Sequence, residues 1–339
     1  MDKMFNAFLV HEREDEFVGS WEQVSMPSLS ANEVLIRVIY SSLNYKDALS
    51  ASGNKGVTRH YPHVPGIDAA GIVVQSRSNE WPVGSNVIVT GFDLGMNTWG
   101  GFGQYIRVPS AWVLRLPSGA TLRMAMCMGT AGLTAAISIN KLIQAGIVPE
   151  SGPVAVSGAT GGVGSIALAI LAKLGYQTTA ISGKTDTDFL TKELGATQVV
   201  ERNEFIRIHE GKAISKTEFS AAIDTVGGTV LSGLLKATQY GGSVTCCGMV
   251  NSSELHTSIF PFILRGINLF GVDSVSIPMN LRRDLWDKLL TEWYPVNMDH
   301  LVSEITSDEL SNNLHQLLSG QAKGRFILKH EAGSSVDQS

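Results

Sequence analysis

The chain has 339 residues, too many for one ordinary hydrophobic core, so about two domains are expected. Its composition is globular, 44% hydrophobic and 17% charged, and its formal net charge of −5 argues against general nucleic-acid binding, which needs a basic surface. Three cysteines, two adjacent and one distant, form no disulfide framework and fit a reducing compartment. The N-terminal "MDKMFNAFLVHERED" has too short an apolar run for a signal peptide. No window of ~20 apolar residues is read, so no membrane contact is expected and the protein is taken as cytoplasmic.

The first third reads as β structure. "NEVLIRVIYSSLN" (32–44) alternates apolar and polar residues, and "AAGIVVQS" (69–76), "GSNVIVTG" (84–91) and "QYIRVP" (104–109) are further short strands. Punctuated by Pro and Gly, they suggest a small barrel or sandwich. From 121 the Ala- and Met-rich "TLRMAMCMGTAGLTAAISINKLIQAG" reads as helices linking two domains. From 153 to about 275 strands and helices alternate: "PVAVSG", helix 165–174, "QTTAISG", helix "TDFLTKELGA", "TQVVE", "FSAAIDTVGG", helix "TVLSGLLKATQYGG", "SVTCCGM" and "INLFGVDS". That alternation implies a doubly wound parallel sheet. Two more helices, "NLRRDLWDKLLTEW" and "SDELSNNLHQLLSG", and a strand, "GRFILKH", follow, and "EAGSSVDQS" is expected to be disordered.

"SGATGGVGS" (157–165) sits between a predicted strand and a predicted helix. Aligned to G-x-G-x-x-G, its positions are Ala159, Gly161 and Gly164, with Thr160, Gly162 and Val163 between. Gly161 and Gly162 allow backbone to approach a pyrophosphate, Gly164 allows close helix packing, and the helix N-terminus offers free N–H groups. An NAD binder carries Asp or Glu about 20 residues on, for the ribose 2′-OH. Here the next strand ends in Ser182, Gly183, Lys184 and Thr185, without a carboxylate. A hydroxyl and a cation suit a 2′-phosphate, and Arg202 after the third strand can join them. The expected cofactor is therefore NADPH.

A series of motifs runs through the chain in order: "SSLNYKDAL" (41–49), "PGIDAAGIV" (65–73), "GTAGLTA" (129–135), "SGATGGVGS", "SGK" (182–184), "AIDTVGG" (222–228), "PFILRGINLFGVDSV" (261–275) and "GR" (324–325). Together they resemble the acrylyl-CoA reductase (NADPH) family, in the zinc-independent, quinone-oxidoreductase-like branch of the medium-chain dehydrogenase/reductase superfamily. The resemblance implies a GroES-like β-rich catalytic domain (1–125 and 276–339) and a Rossmann NADPH-binding domain (126–275). In zinc-dependent members the segment matching "PGIDAAG" carries a His ligand; here that position is Ile67, which cannot ligate zinc. His60 and His63 form H-x-x-H without a visible third ligand, so no metal is expected.

The implied reaction is reduction of an activated double bond, acryloyl-CoA to propanoyl-CoA, by hydride addition to the β carbon and protonation of an enolate held by hydrogen-bond donors. In relatives the "LNYKD" loop lies beside the nicotinamide. Asn44 and Tyr45 are the candidate donors, Tyr45 or a water the proton source, and Lys46 and Asp47 the groups that orient the loop. By the same resemblance Arg325 contacts NADPH or an anionic substrate, and Met249, Ile263 and Ser274 border the nicotinamide half. Asp224 is a cofactor neighbour or a turn cap, and Cys246 and Cys247 read as inert core. Lys55, Arg59, His60 and Lys323 are candidates for a basic rim toward CoA phosphates. The alternatives are a quinone or enone oxidoreductase and a non-catalytic NADPH-binding protein. Relatives imply a homodimer paired along "INLFGVDSV".

Overall fold

The computed structural model describes residues 3–14, 16–184 and 186–331; Thr185 and all but the first residue of the "EAGSSVDQS" tail (331–339) lie outside them. The described chain divides into two compact units. The first runs to Thr130 and takes in Pro278–Leu290 and the residues from Val302 onward; the second holds Ala131–Ile277 and Thr291–Leu301. The expected division placed the break at 125/126 and all of 276–339 in the first unit. The observed break falls five residues later, inside a helix, and 291–301 lies with the second unit.

The chain opens with β1 (Met4–Arg13) and β2 (Glu16–Ser25), an antiparallel hairpin in continuous register from Met4 opposite Ser25 to Arg13 opposite Glu16. Sequence reasoning missed it because β2 alternates exposed and half-buried residues, which dilutes its apolar signal. Then come β3 (Glu33–Ser42), α1 (Tyr45–Ala51), β4 (Asp68–Ser76), β5 (Asn86–Thr90), β6 (Tyr105–Pro109) and β7 (Leu114–Arg115). The expected "LNYKD" loop is a corner: only Leu43 and Asn44 separate the end of β3 from Tyr45, which already opens α1. α2 (Leu122–Gln144) follows, broken by a non-helical Gly129 at φ 52.

α2 corrects one expectation. It is long and apolar enough to cross a membrane, with a mean hydropathy of 1.4 over its most apolar 18 residues. Of that window 78% is buried within the protein, so α2 is a core helix.

The second unit supplies β8 (Val154–Ser157), α3 (Gly162–Lys173), β9 (Thr178–Ser182), a π-helical turn at Phe189–Glu193, β10 (Gln198–Glu201), α4 (Arg202–His209), β11 (Phe219–Asp224), α5 (Gly228–Ala237), β12 (Thr238–Cys246), α6 (Phe260–Arg265) and β13 (Asn268–Gly271). The helix expected over "TVLSGLLKATQYGG" stops at Ala237, and Thr238 already starts β12. All six strands pair in parallel in the order β10-β9-β8-β11-β12-β13. In chain order this is 3-2-1-4-5-6, the Rossmann winding, whose switch point lies between β8 and β11. Its core includes Ala155, Ile181, Phe205, Phe219, Leu234 and Val244.

The remaining elements are α7 (Met279–Leu289), α8 (Met298–Leu301), β14 (Val302–Ile305), α9 (Leu310–Leu318) and β15 (Arg325–Lys329). The first unit's main sheet runs β14-β15-β3-β4-β5-β7, with β6 also paired to β3. β15 lies antiparallel to the end of β3, Ile327 opposite Ser42, so the last strand reaches the corner where α1 begins.

Candidate active site

In the second unit the glycine-rich loop leaves β8 at the switch point and enters α3, where Gly161 is the N-cap residue. Ala159 and Thr160 are buried, while Gly161, Gly162 and Val163 are half-buried. A Cβ on Gly164 would stand 2.4 Å from the Gly158 carbonyl oxygen, so only glycine lets α3 start this close to the loop. The first N–H groups of a helix have no partner within it and favour an anion.

Ser157 and Asp224, at the tips of the two strands flanking the switch point, hold each other. Ser157 Oγ donates to Asp224 Oδ1 at 2.7 Å, and the Thr225 N–H donates to Ser157 Oγ at 2.9 Å. The Gly227 N–H donates to Asp224 Oδ2 at 2.8 Å, and burial raises the Asp224 carboxyl above its ordinary range. Asp224 thus caps its turn and ties it to β8, the second of the two roles expected for it. Sequence reasoning missed Ser157, since only the fold brings the two strand tips together.

At the next strand tip, Ser182 pairs with Glu201 across β9 and β10, and Arg202 opens α4. The Lys184 N–H donates to Ser182 Oγ at 3.0 Å. The Arg202 guanidinium lies over Gly183, where a Cβ would come within 2.9 Å of its Cζ. Arg202, distant in sequence, therefore lies against the Ser182, Gly183 and Lys184 turn at the end of β9.

The first unit carries a buried polar corner around the start of α1. Asp47, fully buried, accepts the Asn44 N–H and the Ile67 N–H, both at 2.8 Å, and so caps the helix and ties it to the start of β4. Burial, and then the charge of Asp68, push the Asp47 carboxyl up to about 7. Asp68 Oδ2 accepts Ser42 Oγ at 2.5 Å, Asn44 Nδ2 at 2.8 Å and the Thr130 N–H at 2.8 Å, while Oδ1 accepts Thr130 Oγ1 at 2.5 Å. Arg325 Nη1 donates to the Leu43 carbonyl at 3.0 Å and to Asn44 Oδ1 at 3.3 Å.

This corner changes two expected roles. Asn44 is 9% exposed and its amide is engaged at both ends, so it is not a free donor for an enolate. Arg325, expected at a ligand, is 3% exposed and donates to Leu43 and Asn44; burial lowers its pKa against the pull of Asp68, Cys127 and Asp47. Tyr45 is 39% exposed at the first position of α1, and Lys46 is half-buried. Gly129 makes the corner possible. Its left-handed φ suits glycine, and a Cβ there would meet Ser42 Oγ, Asp68 Oδ2 and Arg325 Nη2 within 2.8 Å.

Comparison with known proteins agrees with both halves. Residues 30–118 match the alcohol dehydrogenase GroES-like domain, and residues 162–291 match the zinc-binding dehydrogenase family. Acrylyl-CoA reductase AcuI of Ruegeria pomeroyi is 38% identical over 328 residues, 96% of this chain and 99% of its own. The chain belongs to the acrylyl-CoA reductase family of the medium-chain dehydrogenases/reductases. Two other relatives extend the family. YhfP of Bacillus subtilis, a putative quinone oxidoreductase, is 39% identical over 97% of this chain and 100% of its own. Its structure with NAD bound matches at a TM-score of 0.92, covering 97% of this chain and all of that one. The yhdH oxidoreductase of Salmonella enterica, in complex with NADP, is 39% identical with a TM-score of 0.92, covering 96% of this chain and 100% of that one. The GroES-like and Rossmann architecture is that of the family.

One matched domain model names zinc, and the residues of this member do not fit that ion. Ile67 is apolar and buried, and Asp68 already accepts four hydrogen bonds. Among the described residues no three His, Cys, Asp or Glu side chains gather as a metal site, and His63 is buried while His60 is exposed.

The other candidates in this family member fall as follows. Met249 and Ile263 are 65% and 63% exposed, not core residues, and Ser274 is half-buried. Burial pushes the Cys247 thiol up to about 12 and raises Cys246, which leaves both poor nucleophiles. Lys55 is paired with Glu12 at 2.6 Å and lies over the Phe17 and Tyr61 rings, so it is committed within its own unit.

Proposed function

We propose that this chain is an NADPH-dependent, zinc-independent reductase of a conjugated thioester, converting acryloyl-CoA to propanoyl-CoA. One observation carries the cofactor. The strand tip that would hold an acid toward a ribose hydroxyl holds Ser182, Lys184 and Arg202 instead, beside a glycine loop at the switch point. Near full-length identity to AcuI supports the thioester substrate.

Ala159, Thr160, Gly161, Gly162, Val163 and Gly164 would hold the pyrophosphate, and Ser182, Gly183, Lys184 and Arg202 the 2′-phosphate. Of the second unit's residues, Met249, Ile263 and Ser274 would border the nicotinamide half, as the family resemblance implies. NADPH, when bound, supplies a hydride for the β carbon. Tyr45 donates to the thioester oxygen as enolate charge develops there, the role left to it once the Asn44 amide is engaged. A proton from Tyr45 or from water completes the α carbon. Asp47 caps the turn that carries Tyr45.

A second reading is a quinone or enone oxidoreductase, favoured by the identity to YhfP. The NAD bound to YhfP makes nicotinamide selectivity part of the same test. NADPH and NADH oxidation are followed with acryloyl-CoA, crotonoyl-CoA and a simple quinone, with and without a zinc chelator. The proposal expects turnover of acryloyl-CoA with NADPH, little with NADH, and no loss on chelation. Turnover of the quinone alone would move the assignment to the second reading.

The proposed cellular form is a cytoplasmic homodimer. β13 ends the second unit's sheet with half of its residues exposed, and Phe260, Ile263 and Leu264 nearby in sequence are exposed as well. Light scattering on the purified chain distinguishes a dimer from a monomer.

A further inference from the structure

We propose that Asp68 and Arg325 are positioning residues for the reaction: they grip the two ends of the Asn44 side-chain amide and thereby fix the first turn of α1 and the Tyr45 side chain it carries. The inference rests on the assignment of Tyr45 given above.

The geometry is specific. Asn44 is the last residue before α1 and Tyr45 the first within it. Asn44 Oδ1 accepts Arg325 Nη1 at 3.3 Å, and Asn44 Nδ2 donates to Asp68 Oδ2 at 2.8 Å. Turning the amide over would set its NH2 group against a guanidinium and its carbonyl against a carboxylate, so the two charges dictate one orientation. Arg325 also donates to the Leu43 carbonyl, one residue earlier. Its Nε and Nη2 have no hydrogen-bond partner, so its hydrogen bonding is concentrated on the two residues that precede the helix.

Asp68 anchors the other side. It joins β4 to Ser42 at the end of β3 and to Thr130 just after the Gly129 break in α2. Three elements therefore converge on the Asp68 carboxylate, which holds one end of the Asn44 amide. Ion pairs are costly to bury, and packed apolar residues commonly serve stability as well or better. What this set provides is a single geometry at the one place where the chain turns into Tyr45. A displacement of about 1 Å in a reacting group is enough to cost ~100-fold in rate.

The test is a double-mutant cycle on the purified full chain, reading kcat and KM for NADPH with acryloyl-CoA. Asp68→Asn keeps the shape but removes the charge: its carbonyl stands at the Oδ2 position that Ser42, Asn44 and the Thr130 N–H share, and its NH2 falls against the Thr130 hydroxyl at the Oδ1 position. It is expected to lower kcat by ~10- to 100-fold while KM for NADPH moves less than ~3-fold. Added to Tyr45→Phe, the same substitution is expected to lower kcat by less than ~3-fold more, because the group being positioned is gone. Arg325→Gln should show the same pattern. A structural role alone predicts that the losses multiply, and multiplying losses overturn the proposal, as does an unchanged kcat in Asp68→Asn. If Asp68→Asn yields no folded protein, Ser42→Ala takes its place, with a loss of ~3-fold and the same non-additivity. A wild type active only on the quinone moves the cycle to that substrate. A wild type silent on both removes the functional assignment itself, which the variants alone cannot do.

Discussion

Asp47 sits where its chemistry is most strained. It is fully buried beside Asp68, and those two causes raise its carboxyl from 3.8 to about 7, against the pull of the Ile67 and Asn44 N–H groups. Because the folded pKa lies above the unfolded one, the folded state holds the proton more tightly. The contribution of this group to stability is full below about pH 4 and is lost as pH rises through about 7. The expected outcome is a melting temperature that falls between pH 5 and pH 8 in the wild type and falls less steeply in Asp47→Asn. Equal slopes in the two proteins would remove Asp47 from the account. Some of this residue's setting was legible: "LNYKD" follows a predicted strand, and Asp47 was expected to orient it, but as a loop and not as the start of a helix. Its neighbour Asp68 was not legible as an anchor, because Thr130 is 62 positions away and the Gly129 break that presents it cannot be inferred from spacing.

Among the elements, the entry to α3 carries the sharpest constraint. A Cβ on Gly164 would press to 2.4 Å from the Gly158 carbonyl oxygen and 3.0 Å from the Ala159 Cα, backbone atoms with no freedom to turn aside. At Gly161 the same addition meets the Gly158 oxygen at 3.2 Å, a milder contact. Gly164→Ala is therefore expected to lose ~1–3 kcal/mol in urea unfolding, more than Gly161→Ala, and to weaken NADPH binding in a fluorescence titration. Comparable losses at both positions would mean that the loop is looser than its contacts indicate. The glycine pattern and its strand-helix setting made this element readable from sequence. The residues at the end of β9 were readable as well. Residues 182–184 stood out for lacking an acid and Arg202 was expected to join them; the structure supplies the reason, since β10 lies beside β9 and α4 starts at once.

At the scale of the whole molecule, two units share one chain, and a ligand held by one of them stabilises that unit by mass action. NADPH at 100 times its dissociation constant is expected to add about 2.7 kcal/mol, seen as a raised melting transition. Arg202→Gln should bring the NADPH shift down toward the NADH shift, and an undiminished NADPH preference would remove Arg202 from the 2′-phosphate site. The parallel order 3-2-1-4-5-6 follows the βα alternation foreseen from residue 153 onward. The N-terminal hairpin was not foreseen, since a strand with no strongly apolar face leaves little trace in local pattern. What the amino-acid sequence determined by itself was local: the period of each apolar run, the glycines where backbone must come close, the missing acid after β9, and the apolar Ile67 where a metal ligand would stand. What only the tertiary structure decided was which distant polar groups meet. Ser157 finds Asp224 across a switch point, and Asn44 is gripped between Asp68 and Arg325, 281 residues apart from the latter in the chain. Hydrogen bonds act over about 3 Å and carry no imprint on residue spacing, so their partners are chosen by packing alone.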